Sequence, residues 1–205
     1  MTRLGIIPAG GKAERFGGVM KEMLPCGDMT LLERCVSAME RAGADEIVVL
    51  TTPEKIAVHA RALQGNNVTF RLSRGTLWAS MCEAMNFGAD EYLFAMPDTY
   101  FPLDALKDRF GNFFMGLFRT DTPARFGVYH EGQIWDKYFE SGEYLAWGVL
   151  SWSRKVANFW KGKHYDNHTC AFNDALRNFG TVVAILYFYN DMASFSDYRK
   201  LVLNV

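Results

Sequence analysis

Apolar and polar positions fall into alternating blocks through the first hundred residues. Short apolar runs at residues 4–7, 46–51, 68–72 and 92–96 read as strands. Between them, residues 31–42, 53–63 and 77–87 carry apolar side chains at helical spacing, as in Leu31, Leu32, Cys35, Val36 and Met39. Thr30 suits the N-cap of the first of these helices and Gly43 its stop; Pro53 suits the first turn of the second. Strand following helix following strand predicts a mainly parallel sheet with crossover helices, an α/β, Rossmann-like fold. In such sheets ligands sit outside the carboxyl ends of the strands. Beyond residue 110 the pattern turns β-rich. Residues 113–119, 126–129, 134–138, 145–152 and 182–189 read as strands, with Glu131-Gly132 as a hairpin turn. Residues 170–178 and 194–201 read as helices, and 103–110 is a further short helical candidate.

The chain has 205 residues, which predicts a single domain spanning 1–205. The change of pattern near residue 110 divides it into two halves, 1–110 and 111–205. Hydrophobic residues make up 49% and charged residues 22%, with a net charge of −1, so a nucleic-acid polymer is not an expected partner. No run is apolar and long enough for a membrane span, and no leader pattern opens the chain. Cys26, Cys35, Cys82 and Cys170 lack metal-site spacing, which fits a reducing cytoplasm.

The first strand runs into Ala9-Gly10-Gly11, followed by Arg15, Lys21 and a Leu24-Pro25 step. Glycines let backbone approach a ligand closely, and successive turn amides make a concave anion site. With two cations beside it, this turn suits a polyphosphate. Neither the P-loop pattern nor the dinucleotide G-x-G-x-x-G pattern is present. Asp98 follows directly on the 92–96 strand, where a carboxylate is well placed for a hard divalent cation. Asp191 follows the last strand; the competing reading is that Asp191 and Ser194 cap the final helix. Gly75-Thr76 opens the third helix, whose N-terminus can face a nucleotide.

Ala9-Gly10-Gly11-Lys12-Ala13-Glu14-Arg15 and then Lys21-Glu22-Met23-Leu24-Pro25 resemble A-G-G-x-G-T-R and K-x-L-L-P, the signature of the sugar-1-phosphate nucleotidyltransferases. The glucose-1-phosphate thymidylyltransferases are a familiar branch. Further matches follow in the family's order: Pro97-Asp98-Thr99-Tyr100, Thr122-Pro123-Ala124-Arg125-Phe126-Gly127-Val128, Ile134-Trp135-Asp136-Lys137, Ala146-Trp147-Gly148-Val149, and Asp191 with Asp197-Tyr198. Ala13, Pro97 and Ala193 stand where the family has glycine, and Thr99 where it has Asn. The resemblance implies the nucleotide-diphospho-sugar transferase fold and Mg²⁺-dependent transfer of a nucleotidyl group from a nucleoside triphosphate to a sugar 1-phosphate. It implies a nucleotide-binding half over 1–110, with Ala9, Gly10, Gly11, Gly75 and Thr76 on the nucleotide, and an acceptor-binding half over 111–205, with Asp136, Lys137 and Gly148 on the acceptor. Arg15, Lys21, Asp98 and Asp191 are the implied catalytic residues, the two aspartates holding the metal. The residue that would read the base, near Leu72, Ser73 or Arg74, is not the Gln of the thymidylyl enzymes, which leaves the base open.

Two other readings stand. One is a cytidylyltransferase for a non-sugar phosphate such as phosphocholine or a polyol phosphate, with the aromatics around Trp147, Trp152 and Trp160 as a cage for a quaternary ammonium. The other is a non-catalytic nucleotide-binding regulator. His59 and His130 read as surface or turn residues; His164 and His168 lie in a polar stretch near enough to approach a substrate. A homo-oligomer is left open.

Overall fold

The computed structural model describes residues 1–11, 17–186, 190–191 and 194–204. Its first half contains β1 (Arg3–Pro8), a small hairpin of β2 (Pro25–Cys26) and β3 (Met29–Thr30), α1 (Leu31–Arg41), β4 (Glu46–Thr51), α2 (Ile56–Ala62), β5 (Val68–Leu72), α3 (Leu77–Met85), β6 (Glu91–Ala95) and β7 (Thr99–Tyr100). The second half contains β8 (Phe113–Thr120), β9 (Gly127–His130), β10 (Gln133–Asp136), β11 (Tyr144–Ser153), α4 (Arg154–Lys161), α5 (His168–Phe179), β12 (Val182–Ile185), β13 (Asn190–Asp191) and α6 (Phe195–Asn204).

One nine-stranded sheet joins both halves, in the order β10-β9-β11-β6-β1-β4-β5, with β8 beside β11 and β12 beside β8. β6, β1, β4 and β5 are parallel neighbours; β11 runs antiparallel to both β6 and β8. Covered on both faces, the central strands are nearly continuous apolar runs: Leu4, Ile6 and Ile7 of β1 and Ile47 to Leu50 of β4 are buried. On one face Ile6, Val48 and Leu50 pack with Trp78, Met81, Trp160 and Phe172 from α3, α4 and α5. On the other, Ile7 and Val49 pack with Leu32, Cys35, Val36 and Met39 of α1.

α1 starts where its cap predicts. Thr30 Oγ1 accepts from the Glu33 amide at 3.2 Å, and the Glu33 carboxylate accepts from the Thr30 amide at 2.6 Å, a capping box. Thr30→Ala is expected to destabilise the fold by about 1 kcal/mol, read as a lower denaturant midpoint at unchanged slope. Gly43 closes the helix at φ +90°.

Several expectations change. α4 is an addition to the expected elements: its eight residues follow β11 without a break, and its buried face is only Val156, Ala157 and Trp160. Residues 53–55 are a turn, so Pro53 precedes α2 rather than starting it. Residues 103–108 form turns instead of a helix. β10 ends at Asp136, because Lys137 takes φ +53°. The Glu131-Gly132 hairpin is as predicted, both residues having positive φ, as a tight two-residue turn demands. Of the strand expected over 182–189, residues 187–189 lie outside the described residues.

Candidate active site

The chain passes from β1 outward to β4 and β5, then returns through α3 on the opposite face to β6 on β1's other side. The β1/β6 boundary is therefore the topological switch point, where an open α/β sheet leaves a crevice. Both motif turns leave the sheet there: Ala9-Gly10-Gly11 after β1, and Pro97-Asp98 after β6. A cleft of about 530 Å³ lies between them.

One wall of the cleft is Pro8 to Gly11 and a second is Met96 to Asp98. Lys21 enters from a single 3₁₀ turn, Lys21–Met23, and its Nζ donates to Asp98 Oδ2 at 2.7 Å. A cation and a carboxylate from sequence-distant segments thus meet at the strand ends. Thr99 Oγ1 donates to the Met96 carbonyl at 2.6 Å and pins the turn that carries Asp98. The third wall is Ser73, Gly75, Thr76, Leu77 and Ser80. Gly75 has φ +84°, and Thr76 caps α3 by accepting from the Ala79 amide at 3.1 Å.

Gly10 is held against this third wall. A Cβ at Gly10 would come within 2.9 Å of Ser73 Cβ, and neither atom belongs to a flexible side-chain end. Gly10→Ala is expected to push the turn off Ser73 and raise the KM for the triphosphate about tenfold, since small misplacements of positioning groups are costly. A wild-type KM in this variant would show that the close approach is not needed.

Asp191 reaches the same corner through its backbone. β13 pairs antiparallel with β7, placing Asp191 opposite Thr99, the residue after Asp98. Two aspartates are a hard-oxygen donor set of the kind that suits Mg²⁺. No group of three or more His, Cys, Asp or Glu side chains converges among the described residues. Mg²⁺ does not require one, because substrate phosphates and water complete its shell beside one or two carboxylates. Arg15 lies outside the described residues.

The expected acceptor residues sit further along the sheet. β11 pairs with β9 up to Ala146 and with β6 from Val149 onward, and its register against β8 shifts between Trp147 and Val149. Gly148 is the residue at that irregularity, beside the end of β6. Asp136 ends β10 and Lys137 follows it, both exposed; neither lines the 530 Å³ cleft. Half-buried His168, at the start of α5, packs on Trp147 with ring centroids 5.6 Å apart. Burial lowers the His168 pKa, Asp136 opposes that shift and Lys137 adds to it, so these three groups are neighbours. His164 is 95% exposed.

Two readings need correction. Trp152 and Trp160 are 0% and 1% exposed and pack in the core with Trp78, Tyr92 and Phe172, so no tryptophan cage for a quaternary ammonium exists. His59 is not a surface residue. It is 0% exposed, with Nδ1 2.9 Å from Thr51 Oγ1 and Nε2 3.1 Å from Glu22 Oε1. Burial disfavours the Glu22 carboxylate, yet hydrogen bonds from His59 and Lys55 outweigh it and lower its pKa below the ordinary 4.5. Sequence reasoning missed this group, although Lys55 and His59 stand one helical turn apart and Glu22 adjoins Lys21.

A larger cleft, of about 840 Å³, opens between the ends of β8, β9 and α6, next to the Arg125–Asp197 ion pair. It contains none of the glycine-turn or Asp98 groups, so the smaller cleft is the one with the chemistry.

A crevice at the switch point, lined by a Gly-Gly turn, a lysine and a carboxylate, defines a nucleotidyltransferase-type domain. Residues 5–113 match the MobA-like NTP transferase domain, more than half of the chain, and the chain belongs to that family. No curated protein matches it in sequence. Among solved structures, one from Bacillus anthracis, assigned to glucose-1-phosphate thymidylyltransferase and solved with sucrose, superposes with a TM-score of 0.85 at 19% identity, over 99% of this chain and 95% of that one. The inositol-1-phosphate CTP transferase of T. maritima superposes with a TM-score of 0.74 at 17% identity, over 98% and 95%. The fold is therefore the nucleotide-diphospho-sugar transferase fold, and by its family the protein is a nucleotidyltransferase. No helix among the described residues is long and apolar enough to cross a membrane.

Proposed function

We propose that this enzyme transfers a nucleotidyl group from a nucleoside triphosphate to a sugar 1-phosphate, releasing pyrophosphate, with Mg²⁺ as cofactor. The observation that carries the reading is the meeting of Gly10-Gly11, Lys21 and Asp98 around one cleft, with the Asp191 backbone beside it. The acceptor's phosphate oxygen attacks the α-phosphorus, a new P–O bond forms, and the bond to the β-phosphate oxygen breaks as pyrophosphate leaves. That oxygen is already ionised at neutral pH, so no general base is required. Rate then depends on positioning and on neutralising charge.

The amides of Gly10 and Gly11, with Arg15 by its place in the motif, would stabilise the departing pyrophosphate. Lys21 lies between nucleotide and acceptor phosphates. Asp98 and Asp191 would hold Mg²⁺, which supplies charge neutralisation at the α-phosphate. Lys137 receives the acceptor phosphate, Asp136 a ring hydroxyl, and Gly148 leaves room for the ring. A cyclic polyol phosphate offers the same monoester on a ring, and the likeness to the inositol-1-phosphate CTP transferase keeps it as the second acceptor class.

The test crosses the common nucleoside triphosphates with sugar 1-phosphates, inositol 1-phosphate and phosphocholine, and identifies products by mass. A nucleoside-diphosphate sugar is the expected product. A nucleoside-diphosphate polyol would move the acceptor to the second class; phosphocholine as acceptor would contradict both.

A further inference from the structure

At the base of the glycine turn lies a buried set of charged groups: Glu22 borders the cleft, and Lys55 and His59 stand behind it. Glu22 is 5% exposed, and its Oε1 accepts from Lys55 Nζ at 2.7 Å and from His59 Nε2 at 3.1 Å. His59 is tied in turn to Thr51, the buried last residue of β4. Lys55 Nζ also donates to the Gly11 carbonyl at 2.5 Å and, at a longer 3.4 Å, to the Ala9 carbonyl. The three N–H donors of this ammonium thus face three protein oxygens. Lys55 and His59 do not line the cleft, whereas Glu22 and the Ala9, Gly10 and Gly11 turn do.

The directions follow from peptide geometry. In a trans peptide the C=O and N–H point opposite ways. Drawing the Ala9 carbonyl toward Lys55 turns the Gly10 amide the other way, to the cleft side. The same carboxylate that holds Lys55 belongs to Glu22, next to Lys21, whose Nζ reaches Asp98. One buried carboxylate therefore connects the glycine turn, the lysine arm and the end of β4.

We propose that Lys55, Glu22 and His59 are positioning residues of the transfer reaction, forming a buried clamp that presets the glycine-turn amides and the Lys21 arm before the nucleotide binds. The clamp acts through Gly10, Gly11 and Lys21; it rests on the reading that these hold the triphosphate. Charge-assisted hydrogen bonds in a low-dielectric site are strong when every member is paired, and a half-removed network is costly. The three residues are therefore expected to behave as one unit.

The experiment measures Mg²⁺–triphosphate binding at equilibrium, and KM and kcat, for wild type, Lys55→Met, Glu22→Gln, His59→Gln and the double variant Glu22→Gln/Lys55→Met, with thermal unfolding on each sample. The clamp predicts a Kd and KM for the triphosphate raised about 10- to 100-fold, a lower kcat, and an unchanged acceptor KM. It predicts a double variant no weaker than the more damaged single, because both remove the same clamp. If a single variant does not fold, the double, which strands no buried charge, carries the test. Folded variants with a lower unfolding midpoint but wild-type triphosphate affinity would overturn the clamp and leave a purely structural cluster. Losses in the double equal to the sum of the singles would overturn it as well. Wild-type protein that binds no triphosphate would overturn the functional reading and the clamp together, which separates that failure from failure of the clamp alone.

Discussion

Asp98→Asn is expected to lower kcat about 10²- to 10³-fold, with Lys21→Ala as damaging. Asp98 lies at the carboxyl end of β6 with Lys21 Nζ at 2.7 Å, in the wall of the switch-point cleft. The reaction needs no proton removed from its nucleophile, so charge placement carries most of the acceleration. Asn keeps the shape and hydrogen-bonding reach of the side chain but removes the negative charge that would hold Mg²⁺ and that pairs with Lys21. Ala at position 21 removes the cation and leaves Asp98 without that partner. Steady-state pyrophosphate release measures both. The side chains are 25% and 20% exposed, so the folded state should tolerate either change within about 1 kcal/mol. Turnover within threefold of wild type in either variant would contradict the assignment.

Trp160→Ala is expected to cost about 3–5 kcal/mol of stability. The indole is 1% exposed and meets Trp78, Phe113, Trp152 and Phe172 at centroid separations of 5.4 to 5.9 Å. Its Nε1 donates to the Ala171 carbonyl at 2.9 Å, tying α4 to α5. Truncation removes several edge-to-face ring contacts, opens a cavity and leaves a helix carbonyl without that donor. Domains of this kind are stable by about 5–15 kcal/mol, so a large share would be lost. Denaturant unfolding measures it; a midpoint near wild type would mean that the cluster relaxes into the space.

Trp160 also marks where the sequence stopped being legible. Its spacing from Val156 and Ala157 is helical, but eight residues following directly on a strand give too short a period to separate from strand or loop. Three tryptophans near a predicted pocket then read as a ligand cage, when all three belong to the buried core. The parallel half was legible, because each strand is an apolar run and α1 and α3 start at threonine caps. Gly10, Gly11, Lys21, Gly75, Thr76 and Asp98 were legible as a group for the same reason: the strand ends that carry them fall on one edge, and all line one cleft. His59 was not, since a polar type suggests the surface unless its partners are known, and Glu22 and Thr51 come from other segments of the chain. Asp136 and Lys137 are recognisable by motif, while their reach depends on a hairpin and on the packing of His168 and Trp147, which no local pattern encodes.

The most direct test of the central claim is label transfer. The enzyme is incubated with Mg²⁺, its acceptor and a triphosphate labelled at either the α- or the γ-phosphorus. Nucleotidyl transfer predicts the α label in the acceptor product, the γ label in pyrophosphate, and neither in Asp98→Asn. A γ label released as inorganic phosphate, or both labels remaining in the triphosphate with every acceptor tried, would contradict it.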